Sequence, residues 1–165
     1  MPLLEQFSYW LGELAPVVAM RESEVVFPVI QTFHILGLGL LAGTIALVDL
    51  RLLGLIMRDQ PADRLARQVL PLTWAGFVVM GTSGVLLFAA QAERIWSNAF
   101  LQAKFVLLLI VGLNMAVFHL TTYRRVTEWG VVGGTVPLQA RIAAAGSLLL
   151  WAAIITAGRM IAYFS

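Results

Sequence analysis

Four stretches of this chain are long and apolar enough to cross a lipid bilayer, and no other feature constrains its fold as strongly. A hydrocarbon core of about 30 Å needs about 20 apolar residues per helix. The first stretch runs from about Val25 to Leu50, with room to continue to Met57. The second runs from about Leu70 to Ala90, the third from Phe100 to about Thr122, and the fourth from about Pro137 to Ala162. Strand-type alternation is absent, which argues against a barrel. Short connections suit antiparallel neighbours. The expected fold is therefore all-α: an integral membrane four-helix bundle over residues 25–165.

Composition agrees. Hydrophobic residues make up 60% of the chain and charged residues 12%, against roughly 45–50% and roughly 25% in soluble domains. That balance excludes an ordinary soluble domain and a disordered chain. With no cysteine, there is no disulfide framework, thiolate metal site, iron–sulfur cluster or thiol nucleophile. A net charge of +2 provides no basic surface for nucleic acid. The positive charge is read by position instead.

Residues 1–24 differ from the rest. Leu3, Leu4, Phe7, Trp10, Leu11 and Leu14 recur at helical spacing, with Glu5, Gln6, Ser8 and Glu13 between them. The pattern predicts an amphipathic helix lying in the membrane interface, ended by Pro16. A removed signal peptide is not expected, because a basic leading region and a clear small-residue cleavage site are both missing.

Arginines orient the bundle. Arg51, Arg58, Arg64 and Arg67 lie between the first two spans, Arg124 and Arg125 follow the third, and Arg141 opens the fourth. Arg21, Arg94, Lys104 and Arg159 fall on the other side. The positive-inside rule then predicts both termini outside and the Arg51–Arg67 loop in the cytoplasm. Within that loop, Arg58 to Gln68 reads as a short surface helix with Pro61 in its first turn. Gly130 to Pro137 reads as a flexible loop.

Small residues mark packing faces, since lipid provides no hydrophobic drive for helix pairing. Gly39 and Gly43 form a GxxxG pair; Gly76, Gly81 and Gly84 dot the second span. In the fourth span, Ala140 with Ala144, Ala143 with Ser147, and Ala153 with Ala157 recur four residues apart. Gly37, one turn from His34, is the glycine best placed to make room for a flat cofactor.

Ionisable residues inside the spans carry the functional information, because they are expensive there. The chain has two histidines, His34 and His119. At 1.5 Å per residue, His34 lies roughly 25 Å above the inner edge and His119 roughly 7 Å above it, so they differ in depth by about 18 Å. One iron is not expected to take both histidines of one chain as axial ligands, which leaves a single-histidine haem or one completed by a second chain. His34 shares a face with Gln31 and falls in the outer leaflet with Lys104, Trp96 and Arg159. There a neutral imidazole can bind haem iron, and Lys104 or Arg159 can pair with a propionate. Equally, His34 can serve as a helix–helix hydrogen bond, and the two cations can snorkel to the interface. In the inner leaflet, Asp49 is expected to pair with Arg51, Arg124 or Arg125, and Asn114 to hydrogen-bond between helices. His119 is either solvated at the interface, a ligand of a second haem, or a hydrogen-bond partner for a quinone.

These residues also carry a resemblance. The run from Pro16 to Leu55, with its RES…P…H…G…DLRLLG pattern, resembles a family of small, uncharacterised bacterial inner-membrane proteins. So does the series Trp74–Phe77, Ser83, Gly84, Asn98, Phe100, Lys104, Asn114, Phe118 and His119. More distantly, an early histidine in one span and a lysine opening a later one resemble copper-resistance D-type membrane proteins and HemJ-type protoporphyrinogen oxidases, which bind haem b. By that resemblance His34 is the haem ligand and Lys104 its neighbour. Three functions remain open: a b-type haem protein that passes electrons with the quinone pool, a non-catalytic subunit of a larger membrane complex or homo-oligomer, and a copper-resistance D-type permease. Copper transport favours Met and His clusters at matching depth, and Met20, Met57, Met80, Met115 and Met160 are scattered.

Overall fold

The computed structural model describes residues 3–132 and 134–164; within them the side chains of Leu3, Leu4, Glu5, Ser8 and Glu93 lie outside the description. In chain order the helices are α1 (Leu3–Gly12), α2 (Ala15–Glu22), α3 (Val26–Leu52), α4 (Ala62–Ile95) and α5 (Ala99–Leu120). A 3₁₀ turn (Tyr123–Arg125), the single turn α6 (Val126–Trp129) and α7 (Leu138–Ile161) follow. No strand occurs among the described residues. Four helices, α3, α4, α5 and α7, are long and apolar enough to cross a membrane. They pack against each other as α3 on α4, α5 on α7 and α3 on α7, while α4 and α5 meet only sparingly.

The helices form where apolar runs are continuous, and they meet where small residues allow it. Along the α3–α4 seam, His34 meets Ser83, Gly37 meets Met80, Leu41 meets Gly76, and Thr44 meets Thr73. Each step of three or four down α3 matches an equal step up α4, as in an antiparallel pair with 3–4 packing. The glycines decide how close the backbones come. A Cβ on Gly37 would lie 2.9 Å from the Met80 amide nitrogen, and one on Gly76 would lie 2.7 Å from that of Leu41. Gly39 and Gly43, the GxxxG pair, behave differently from the packing expectation: nothing stands within 4 Å of either Cβ position. Their face of α3 is open because the seam follows the 34–37–41–44 stripe.

One apolar cluster, built on Leu41, Met80, Val111, Trp151 and Ile154, joins all four long helices at mid-height. The outward faces remain apolar: Ile35, Leu36, Phe77, Val78, Leu109, Leu113 and Leu149 are exposed. An apolar surface of this extent suits lipid and not water.

At the N-terminal side, α1 has ten residues, about 15 Å of helix, too short to span. Leu11, Leu14, Val17 and Met20 dock onto Ala89 and Ala90 of α4, while Phe7 and Trp10 are exposed and stack with ring centroids 5.7 Å apart. Pro16 does not end this helix. The first helix stops at Gly12, and Pro16 sits in the first turn of α2, where its missing N–H costs nothing.

The segment between the first two spans also departs from expectation. No separate surface helix covers Arg58–Gln68; from Ala62 onward those residues are the first turns of α4, which runs 34 residues to Ile95, with Pro61 as its N-cap. At about 51 Å that helix is longer than the hydrocarbon core is thick, so its charged start projects beyond it. Upstream, α3 ends at Leu52 in a Schellman cap: the Gly54 amide donates to the Arg51 carbonyl, and the Leu55 amide donates to that of Leu50. Gly54 has φ +74°, a backbone conformation glycine adopts without strain. In the Gly130–Pro137 connection, Gly133 lies outside the described residues.

Candidate functional site

His34 sits on α3 at one end of the α3–α4 seam. Its Nδ1 lies 3.0 Å from Ser83 Oγ. The Ser83 hydroxyl has one proton, and its oxygen is 2.5 Å from the Val79 carbonyl. Two bare acceptors do not approach so closely, so Ser83 donates to Val79. The His34 ring must then donate from Nδ1–H to Ser83 Oγ. In the neutral ring this puts the proton on Nδ1 and leaves the lone pair on Nε2. Metal-binding histidines are commonly held by such a second-nitrogen hydrogen bond.

Two glycines make room for the polar groups. A Cβ on Gly84 would lie 3.2 Å from His34 Cε1, and one on Gly158 would lie 3.4 Å from Lys104 Nζ. Lys104, on α5, lies within electrostatic range of His34. Both side chains are half-buried. Thus α3 brings the histidine, α4 its hydroxyl partner, α5 the ammonium and α7 the space for it. On this side, α4 and α5 are bridged by Phe88 and Phe105, whose ring centroids are 6.1 Å apart.

The remaining expected site residues are placed as follows. Gln31 is exposed. Gly37 faces the α4 backbone at Met80, which fills the space beside it. Arg159 is exposed at the end of α7, where its Nη2 donates to Tyr163 Oη at 3.1 Å and its guanidinium stacks on that ring. His119 is exposed at the opposite end of α5, with Nδ1 2.9 Å from the Met115 carbonyl and its ring beside Tyr123. Fifteen residues separate it from Lys104, about 22 Å of helix. The structure brings His34 and Lys104 together and leaves His119 apart.

Asp49 corrects another expectation. It is 7% exposed and forms no ion pair with Arg51, Arg124 or Arg125; among the described residues the ion pair is Arg67–Asp63. The Ser147 side chain on α7 lies beside its carboxyl, and Oδ2 has no hydrogen-bond partner. Arg51 turns away because residues two apart on a helix point in different directions. Its Nε donates to the Gln60 carbonyl at 2.8 Å. Asn114 does link helices, donating from Nδ2 to the Ala143 carbonyl at 3.1 Å.

Sequence reasoning missed the roles of Ser83, Gly84, Gly158 and Ser147. Each is a small residue in an apolar span, and one chain pattern cannot say which small residue faces a polar side chain on another helix. Asn98 carried a legible signal, an N-cap residue before an apolar run. Its Oδ1 accepts from the Phe100 and Leu101 amides and its Nδ2 donates to the Phe164 carbonyl.

Among the described residues, no group of three or more His, Cys, Asp or Glu side chains gathers to hold a metal ion. Four long apolar helices, packed as an all-α membrane bundle, define the class of protein. More particularly, the chain belongs to the family of unknown function DUF6644, whose family model matches residues 19–165. No curated protein and no solved structure matches it.

Proposed function

We propose that this chain is a membrane-embedded b-type haem protein that exchanges electrons with the quinone pool. One observation carries the reading: His34 is held through Nδ1 by Ser83, which leaves Nε2 free to ligate iron. A haem bound there would supply reversible one-electron transfer. His34 would hold it, and Lys104 would neutralise a propionate. Phe88 and Phe105, beside the loosely joined α4 and α5, would exclude water. His119, at the far end of α5, is left for a quinone contact or for solvent.

The proposed setting is the bacterial inner membrane, with both termini outside and the arginine-rich end in the cytoplasm. A second reading, a non-catalytic subunit of a larger membrane complex or homo-oligomer, is favoured by the open Gly39–Gly43 face of α3. That face offers another helix close backbone approach. For the copper-resistance D-type permease, no cluster of three or more His, Cys, Asp or Glu side chains stands among the described residues to support it.

The deciding experiment is a visible spectrum and pyridine haemochrome assay on the purified protein. The expected result is a Soret band that His34→Ala abolishes and His119→Ala leaves largely intact. Full haem occupancy in His34→Ala overturns the ligand assignment. A haem-free wild type that copurifies in a larger particle shifts the conclusion to the subunit reading.

A further inference from the structure

The opposite end of the bundle carries a second built feature, independent of His34. A cavity of about 380 Å³ is lined by Arg51, Arg58 and Arg141, with Gly54, Thr135 and Val136 between them. Three cations share this space with no acidic partner: among the described residues none of them is in an ion pair, and Asp59, next to Arg58, is exposed.

Two of the guanidiniums have backbone partners. The Schellman turn at Gly54 folds the chain so that Arg58 Nε donates to the Gly54 carbonyl, while Arg51 Nε donates to the Gln60 carbonyl. Each bonds through its inner nitrogen, which leaves the terminal nitrogens of the planar fork without an acceptor among the described residues. Arg51 is 5% exposed and has no ion pair among the described residues, so most of the residue is screened from bulk water and an anion in the cavity would supply the missing counter-charge. Arg141 lies in the first turn of α7, a helix whose N-cap Pro137 supplies no side-chain acceptor.

From this geometry we infer that the cavity binds a phosphate group. Forked guanidiniums match phosphate oxygens bidentately, and three forks around one space match a tetrahedral anion better than a planar carboxylate. At the end of the spans, that phosphate has two possible sources: the headgroup of an anionic phospholipid or a free phosphate in solution.

The test uses the full chain in phosphatidylcholine nanodiscs, with two probes: inorganic phosphate in the buffer, and phosphatidylglycerol replacing part of the phosphatidylcholine. Binding is read from the rise in unfolding midpoint with probe concentration and, for the lipid, from its retention in native mass spectrometry. Arg51 is too buried for a clean substitution, so the exposed Arg141 carries the test, with Arg67→Gln as a control away from the cavity. Wild type is expected to be stabilised, and Arg141→Gln to bind roughly tenfold or more weakly, with Arg67→Gln unchanged. Stabilisation by phosphatidylglycerol alone assigns the lipid headgroup; stabilisation by inorganic phosphate assigns the soluble anion. No response to either probe overturns the proposal, as does an equal loss in Arg67→Gln and Arg141→Gln.

Discussion

His34 and Ser83 are joined across the α3–α4 seam at 3.0 Å, and the Val79 carbonyl, by accepting the serine hydroxyl's hydrogen bond, decides which nitrogen of the neutral imidazole is free. A side chain on one helix thus has its tautomer set by the backbone of another. Removing the hydroxyl tests this. Ser83→Ala is expected to cost about 0.6–2 kcal/mol, the range for interhelical hydrogen bonds in membranes. Thr82→Ala, next to it but bonded only within its own helix and exposed, should stay within about 0.5 kcal/mol. Thermal unfolding in detergent measures both. Equal effects would show that the His34–Ser83 contact contributes no stability of its own.

The glycines on α3 and α4 should separate sharply. Alanine at Gly76 would place a Cβ 2.7 Å from the Leu41 amide nitrogen, and backbone cannot yield as a side-chain tip can. Forcing the helices apart is expected to cost about 1–3 kcal/mol. Gly39→Ala meets nothing within 4 Å and should be neutral or slightly stabilising through helix propensity. Unfolding midpoints decide; a tolerant Gly76→Ala would contradict the close α3–α4 approach.

Asp49 is buried with an orphan Oδ2. An unmet acceptor of that kind costs about 1–3 kcal/mol, so Asp49→Asn is expected to leave stability unchanged or raise it by about 1 kcal/mol. A carboxylate engaged in a buried ion pair would respond in the opposite direction, by about 3–5 kcal/mol. Denaturant titration of wild type and variant gives the sign.

Orientation is testable because the native chain has no cysteine. A single cysteine at position 64, in the first turn of α4, is expected to react with a membrane-impermeant maleimide only after the membrane is opened. Labelling from the outside of intact cells would reverse the proposed topology.

Some of this protein was legible before any coordinates. The number of long helices follows from hydropathy alone, because a backbone in lipid must satisfy its hydrogen bonds within each helix, whatever its neighbours are. The separation of His34 from His119 was equally legible, since rise per residue converts sequence distance into depth. The cap on α5 at Asn98 is a local signal of the same kind. Pairing between helices was not legible. Gly39 and Gly43 have the better-known spacing, yet Gly37 and Gly76 make the close approach, because the seam is chosen by the whole stripe of small and polar residues that two helices can present together. Asp49 and Arg51 are two residues apart in the chain and share no contact, since the helix turns them to different sides. Arg51 and Arg141, ninety positions apart, line one cavity because the Gly54 turn and the start of α7 close at the same end of the bundle. Local chemistry is written along the chain, whereas the company each polar side chain keeps depends on how four cylinders are rotated about their axes, and only packing sets that rotation.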